Sequence, residues 1–306
     1  MREITENGIC MTCCEKESGI EILRAQTQLQ QVEVPAVLLG RPVTALGARA
    51  FAADSGREAH RRIRAISLPD TLERVGDYAF YNCTDLRQLR LSDRTERWGG
   101  SCLMNCRSLC RLEIRQTAER SSAAFYFADE LSSELDMSFL QGDEVVMRLI
   151  FPEYVESYEA NGPARHFDFH LYGAGFPYHH AFRNKQLDLA LFDGAWPELL
   201  KREYDPVCAL RLAWYRLCYP QGLSERSGQA YEDWLEQHCG EALEWMLEEG
   251  DCRGIGQFLR RFSPPKEILT EALETAREKR LPEAVAILLE EQHRRFPAGR
   301  SKRFDL

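Results

Sequence analysis

Apolar positions near residue 80 recur along the chain with a step of 23 residues. Leu89 and Leu91 return as Leu112 and Ile114, and one polar residue separates the members of each pair. Alternation with a period of two is typical of a short strand with one buried face. The repeated step therefore predicts stacked coils of 23 residues, each with one short strand.

The same frame extends towards the N-terminus. The paired apolar positions of the predicted strands are Val32/Val34, Ile66/Leu68, Leu89/Leu91 and Leu112/Ile114. Stacked about 4.8 Å apart, these pairs predict a narrow parallel sheet with an aliphatic ladder behind it. The predicted opposite wall consists of Ala50-Phe51, Ala79-Phe80 and Cys102-Leu103. We expect Gly47, Gly76 and Gly99 to permit a tight backbone turn before each of these pairs.

The residues of these coils resemble those of a known family. Residues 34–47 and 66–83 resemble the BspA-type leucine-rich repeat, and the likeness extends over about residues 20–117. Trp98 and Cys102 depart from the repeat pattern, which indicates a capping segment there. The resemblance implies a solenoid that binds a partner, often on a cell surface, and it implies no catalytic residue.

From about residue 200 the apolar period becomes helical. Val207, Leu210, Trp214 and Leu217 form one stripe of an amphipathic helix. Further helices follow, one of which begins at Pro282.

A second repeat is indicated in this half of the chain. Residues 252–259 overlay residues 282–289 at an offset of 30, with Ile255 matched to Val285 and Phe258 to Leu288. This part is similar to the helical core of ankyrin repeats, which implies stacked helix pairs.

The sequence thus predicts an α+β repeat protein in three parts. The first, residues 1–117, is a short leucine-rich solenoid with an N-terminal cap and a parallel β-ladder. The second, residues 118–200, is a connecting α+β segment that also caps the solenoid. The third, residues 201–306, is a mostly α-helical, ankyrin-like domain.

Charge and hydropathy exclude some partners. The net charge is −9, and the acidic excess lies after residue 120, which argues against nucleic acid as a partner. No apolar run approaches the roughly 18 to 20 residues of a membrane helix, so we expect no membrane association. The sequence favours a cytoplasmic location, with the cell surface as the alternative.

Eleven cysteines are interpreted mainly as reduced, packed thiols. Cys10 and Cys13 have the spacing of two zinc ligands. However, the chain contains no second C-x-x-C pair, so we predict no zinc site there. We expect no cofactor.

The segment His166–His170 suggests a function other than partner binding. Its strand-like alternation predicts that His166, Asp168 and His170 share one face, near His179 and His180. Such a cluster is typical of a metal-dependent hydrolase, which is the second hypothesis. The simpler interpretation is a polar strand face, and it predicts no metal.

We therefore predict a non-enzymatic protein-binding module whose partner is an unidentified protein. A cell-surface adhesin is a further alternative. The sequence leaves open whether the partner contacts the exposed side of the solenoid sheet, the helical half or the cleft between them. The residues that alternate with the buried ladder are the candidate ligand face: Glu33, Ser67, Gln88, Arg90, Arg111 and Glu113.

Overall fold

The computed structural model describes residues 1–117, 123–161, 166–202 and 204–297. The chain divides into two compact units. The first unit contains residues 1–204 and 218–224, and the second contains residues 205–217 and the chain from Glu225 onwards. Strands dominate the first unit and helices the second.

The strands of the first unit are short in the repeat region and longer near its ends. In chain order they are β1 (Arg2–Glu6), β2 (Ile9–Lys16), β3 (Gly19–Thr27), β4 (Gln31–Glu33), β5 (Val37–Leu38), β6 (Arg41–Leu46), β7 (Ala65–Ser67), β8 (Arg74–Val75), β9 (Gln88–Ser92), β10 (Arg97–Trp98), β11 (Arg111–Arg115), β12 (Leu135–Gln141), β13 (Glu144–Phe151), β14 (Tyr154–Asn161), β15 (His166–Gly173), β16 (Phe182–Arg183) and β17 (Gln186–Leu187).

The helices lie mainly in the second unit. They are α1 (Ala123–Glu130), α2 (Phe176–His179), α3 (Leu189–Gly194), α4 (Trp196–Leu199), α5 (Pro206–Cys218), α6 (Glu225–Gln237), α7 (Cys239–Glu249), α8 (Cys252–Arg261), α9 (Lys266–Glu278) and α10 (Pro282–Arg295). A short 3-10 helix, Glu58–Arg62, precedes β7.

One sheet contains the predicted ladder. Its order is β13-β12-β11-β9-β7-β4, and the pairs from β12 to β4 are all parallel. Val32 pairs with Ile66, Ile66 with Leu89, and Leu89 with Leu112. All four side chains are buried. The register predicted from the step of 23 is therefore confirmed for Ile66, Leu89 and Leu112, and Val32 stacks beside Ile66 as expected.

A second sheet forms the other side of the coils and contains the N-terminal strands. Its order is β1-β2-β3-β6-β8-β10, with β5 paired to β6. Strands β1 to β3 pair antiparallel, and β3, β6, β8 and β10 pair parallel. The predicted N-terminal cap is thus a three-stranded antiparallel meander that continues directly into the parallel coils.

The back wall stacks as predicted, but the glycines before it have a different role. Phe51 N–H donates to Ala79 O at 2.7 Å, and Phe80 N–H donates to Cys102 O at 2.9 Å. Turns follow Gly47, Gly76 and Gly99, as predicted, but none of the three glycines has a positive φ. Instead, a Cβ on Gly76 would lie 2.5 Å from Ala48 N, and a Cβ on Gly99 would lie 2.3 Å from Asp77 N.

The repeated Asn-Cys pair joins successive coils. Cys83 Sγ lies 3.4 Å from Phe51 O and Cys106 Sγ lies 3.2 Å from Phe80 O, so each thiol donates to the preceding coil. Asn82 and Asn105 both have positive φ, and Asn105 Nδ2 donates to Asn82 Oδ1 at 2.8 Å. Burial raises the pKa of both thiols, which keeps them protonated as donors.

The ladder sheet continues past residue 117, the predicted end of the solenoid. Strand β12 pairs parallel with β11, and its alternate residues Leu135, Met137 and Phe139 are buried. Strand β13 then pairs antiparallel with β12 and ends the sheet. The predicted boundary at residue 117 therefore lies between two paired strands of one sheet. The assignment of domain limits stays a prediction.

The helices of the second unit contact one another in pairs. Helix α7 contacts α8 and α9, and α10 contacts the same two helices. Two turns thirty residues apart have the same geometry: Gly250 and Arg280 both have positive φ. The following N–H group donates five residues back in each case, Asp251 to Met246 O and Leu281 to Ala276 O. The offset of 30 therefore recurs in backbone conformation, although the ankyrin likeness itself stays a prediction.

We expect Leu89→Asp to unfold the ladder, because a carboxylate would be buried without a partner at a site with no solvent exposure. The expected loss is several kcal/mol, against a typical domain stability of about 5 to 15 kcal/mol. Arg87→Asp is the matched control, since Arg87 is exposed just before β9. Urea unfolding followed by circular dichroism measures both, and an unchanged midpoint for Leu89→Asp would show that the register is misplaced.

We expect Arg280→Gly to stabilise the second unit by about 0.5 to 1 kcal/mol, because glycine adopts positive φ without the steric cost of a Cβ. The control is Lys279→Gly, whose φ is −75°. That substitution should destabilise the second unit by a similar amount. Lys279 already has a helical conformation, and glycine loses more backbone entropy than lysine when it is held there. Urea titrations followed by tryptophan fluorescence test this pair, and destabilisation by both variants would refute the cap assignment.

Candidate functional site

The six predicted face residues lie on one side of the ladder sheet. Glu33, Ser67, Arg90 and Glu113 form one cross-strand row, and Gln88 pairs with Arg111 in the next. Each alternates with a buried aliphatic residue, so these side chains lie on the side opposite the core. We call this surface the ladder face, and it consists of Gln31, Glu33, Ala65, Ser67, Gln88, Arg90, Arg111 and Glu113.

An ionic network fixes part of the ladder face. Arg90 Nε donates to Glu113 Oε2 at 2.6 Å, and Gln88 Nε2 donates to Glu113 Oε1 at 2.6 Å. Glu113 thus accepts from both residues of the neighbouring strand. These contacts hold three long side chains in defined positions, which reduces the conformational entropy that a partner must restrict.

The ladder face also carries two charged side chains outside this network, Glu33 and Arg111. Among the residues that the structure describes, neither Glu33 nor Arg111 has an ion-pair partner, and both side chains are exposed. They belong to strands β4 and β11, which are separated by β7 and β9. At strand spacings of about 4.8 Å, the two charges lie on columns roughly 14 Å apart. The face therefore offers a negative group at one end and a positive group towards the other.

A depression of about 420 Å³ lies over β4, β7 and β9. Its floor lies at Ala65 and Ser67, whose side chains are small, whereas longer side chains stand on either side. The lining residues are Gln31, Val32, Glu33, Ala65, Ile66, Ser67, Gln88 and Arg90. This arrangement can accept a side chain of a partner between Glu33 and Arg90.

A segment inserted before β7, which includes the 3-10 helix Glu58–Arg62, contacts β3 and the back wall. Arg57 is buried, forms two hydrogen bonds with Asp54 and donates to Ala50 O at 2.9 Å. The ring of His60 is fully buried, accepts from Thr27 N–H at 3.2 Å and donates from Nδ1 to Phe51 O at 2.9 Å. Burial lowers the pKa of His60, so the ring is neutral at pH 7. The insertion is therefore a set of satisfied buried polar groups.

Strand β12 extends the ladder sheet, a pairing that the sequence pattern did not predict. Asp136 pairs with Arg111 in register, and Arg148 of β13 forms two hydrogen bonds to the Asp136 carboxylate, at 2.8 and 2.6 Å. The alternation of Leu135, Met137 and Phe139 was the signal for this strand. It lies outside the 23-residue step, because α1 and its flanking segments separate β12 from β11.

The predicted cluster of His166, Asp168 and His170 lies on β15, which pairs with β14. The side chains of His166 and Asp168 lie outside the described residues. His170 is exposed and its ring lies 6.2 Å from that of Tyr172. Among the described residues, no group of three metal-ligating side chains is close enough to hold a metal ion.

The neighbouring histidines have structural contacts. His179 is buried, and its two ring nitrogens each lie 3.0 Å from a carbonyl oxygen, Nδ1 from Ala128 and Nε2 from Pro152. Burial lowers its pKa. His180 is exposed and stacks on Phe176 at 4.0 Å. Both histidines are thus engaged in local packing.

The Cys10-x-x-Cys13 pair is divided between two environments. Both residues lie on β2, with Cys10 exposed and Cys13 buried. Burial raises the pKa of Cys13, which disfavours the thiolate that zinc requires. All eleven cysteines are free thiols.

Comparison with known families identifies the repeat. The family model described as the BspA type leucine rich repeat region (6 copies) matches residues 57–138. The N-terminal part of the chain therefore contains a leucine-rich repeat region of the BspA type, as the resemblance predicted. The match ends within β12, which agrees with the continuation of the sheet past residue 117.

Two solved structures match as well. A leucine-rich repeat protein from Bacteroides capillosus is 17% identical, with a TM-score of 0.34, over 45% of this chain and 99% of that one. A leucine rich cell surface protein from Faecalibacterium prausnitzii is 20% identical, with a TM-score of 0.31, over 47% of this chain and 38% of that one. No curated protein matches the chain. In the part of the chain that the structure describes, no helix is long and apolar enough to span a membrane.

We expect His60 to make stability depend on pH between about 7.5 and 5. Its pKa is lowered in the folded state, so its contribution is complete above the unfolded value of about 6.5 and is lost as the pH falls below it. One such site contributes at most about 1.4 kcal/mol per pH unit. As the pH is lowered, the free energy of unfolding should therefore fall less steeply in His60→Gln than in the wild type.

The control for this experiment is His180→Gln, at an exposed histidine of the same unit. Urea titrations at pH 7.5, 6.5 and 5.5 supply the free energies of unfolding. An identical pH slope in His60→Gln and the wild type would contradict the assignment of a buried neutral ring.

Proposed function

We propose that the chain is a non-enzymatic adaptor that binds a protein partner through the ladder face. The observation that carries this proposal is the register of the exposed rows. Strands β4, β7, β9 and β11 present polar side chains in fixed columns above a buried aliphatic ladder. Binding groups on rigid strands are positioned more accurately than groups on loops.

The chemistry of the face defines the kind of partner. Glu33 and Arg111 offer exposed charges of opposite sign, and the depression over Ala65 and Ser67 offers room for one inserted side chain. A partner surface with a basic group, a central anchor and an acidic group fits this order. Charged rims mainly increase the association rate and the specificity, whereas a central anchor supplies most of the affinity.

The separation of core and face also favours a binding role. Side chains of the ladder face can change with little effect on stability, typically within about 0.5 kcal/mol for an exposed site. The buried ladder cannot change in this way, because every coil depends on its neighbours. Such a surface can diversify for binding while the repeat keeps its geometry.

We predict that Arg90→Glu/Arg111→Glu strongly weakens capture of the partner. The double change reverses both positive charges of the face and breaks the contact of Arg90 with Glu113. The control is Arg87→Glu/Arg107→Glu, which alters the net charge equally at two exposed arginines outside the strands. Affinity capture from native lysate, followed by mass spectrometry, compares the three proteins.

The expected result is at least a tenfold loss of the specific partner with the face variant and retention with the control. Thermal unfolding of each protein verifies that the fold is kept. Equal recovery by all three proteins, with equal stability, would exclude the ladder face as the binding surface.

A further inference from the structure

A small pocket lies on the other side of the coils, where the residues after β10 meet α1. Its volume is about 120 Å³. It is distinct from the ladder face, and it shares no residue with it. The lining residues are Trp98, Gly99, Gly100, Cys102, Leu103, Tyr126, Phe127 and Glu130.

Three aromatic side chains form much of this lining. The rings of Trp98 and Phe127 meet edge to face at 4.9 Å, and Phe127 is buried. Outside the pocket lining, Lys185 Nζ lies 5.2 Å from the ring centroid of Tyr126, which shows that this ring attracts a cation. Aromatic faces attract ammonium groups through their quadrupole, most strongly when water is excluded. The walls therefore favour a cation.

The N–H groups around the pocket are already used. Trp98 Nε1 donates to Thr95 O at 2.9 Å, Gly99 N–H to Val75 O at 2.8 Å, and Gly100 N–H to Asp77 Oδ1 at 2.9 Å. These donors are not available to an anionic ligand. The remaining charged group is the carboxylate of Glu130, which is an acceptor.

Glu130 has no ion pair or side-chain hydrogen bond with any residue that the structure describes. The residue is exposed, but partial desolvation still raises its pKa, and the charge of the adjacent Asp129 raises it further. A cation placed beside Glu130 stabilises its charged form, because the cation offsets both the desolvation and the repulsion from Asp129. The residues that line the pocket thus include no positive group to complement Glu130.

The pocket has no residue suited to covalent chemistry. Burial, with a smaller effect of the Glu130 charge, raises the pKa of Cys102 to about 12. Its thiol is therefore protonated at neutral pH and is a poor nucleophile. No histidine lines the pocket. This chemistry supports binding of a ligand without reaction.

We propose that this pocket binds a primary alkylammonium group, the chemistry shared by a lysine side chain and a small aliphatic amine. The alkyl chain contacts Leu103 and the rings, and the ammonium group contacts the Glu130 carboxylate. The proposal is independent of the role of the ladder face.

Titration with n-butylammonium chloride, followed by nuclear magnetic resonance of the full chain, tests the proposal. We expect saturable shifts in the wild type and at least fivefold weaker binding in Glu130→Gln. Asp129→Asn is the matched control, because it removes a neighbouring exposed carboxylate outside the pocket. That variant should bind within twofold of the wild type. Equal affinity of Glu130→Gln and the wild type would refute the proposal.

A neutral ligand and a second variant separate the charge from simple apolar filling. 1-Butanol should bind at least fivefold more weakly than n-butylammonium, and Tyr126→Leu should weaken only the cation. If 1-butanol binds as well as the cation, the pocket is a general apolar cavity and the proposal fails.

A peptide with one lysine distinguishes the two sources of the ligand. The same peptide with norleucine in place of lysine is the uncharged control. Tighter binding of the lysine peptide than of n-butylammonium identifies a protein side chain as the ligand. Binding of n-butylammonium alone identifies a small amine, and binding of neither overturns the proposal.

Discussion

The close approach of successive coils is the constraint on which the rest of the structure depends. At the back wall the backbones are so near that a Cβ on Gly76 or Gly99 would lie within 2.5 Å of a neighbouring backbone atom. Such a distance essentially excludes any other residue unless the coils move apart. Moving them apart would break the hydrogen bonds from Phe51 N–H to Ala79 O and from Phe80 N–H to Cys102 O. The glycines therefore set the spacing of both walls.

This spacing determines what each wall can do. On the ladder side it aligns the aliphatic residues of β4, β7, β9 and β11, and it consequently aligns the polar residues between them. On the back side it brings the turn after β10 against α1, where the aromatic pocket lies. One backbone arrangement thus creates both the polar ladder face and the small aromatic pocket.

The sequence predicted those features that repeat, because a repeated step specifies both strand pairing and the buried side. It predicted the register of Leu89 with Leu112 and the polar face above them. It did not predict that β12 joins the sheet, since this pairing has no repeated motif and α1 lies in between. The aromatic pocket was also missed. Its signal was the departure of Trp98 and Cys102 from the repeat pattern, and recognising the pocket required the position of α1.

The central claim is that the stacked coils form one cooperative, rigid support for the ladder face. Amide hydrogen exchange of the free chain under native conditions tests this most directly. We expect β7, β9 and β11 to exchange through a common opening, with one free energy close to that of global unfolding of the unit. Separate, low-energy opening of β7 or β9 would contradict the account, because the face would then not be held by the stack.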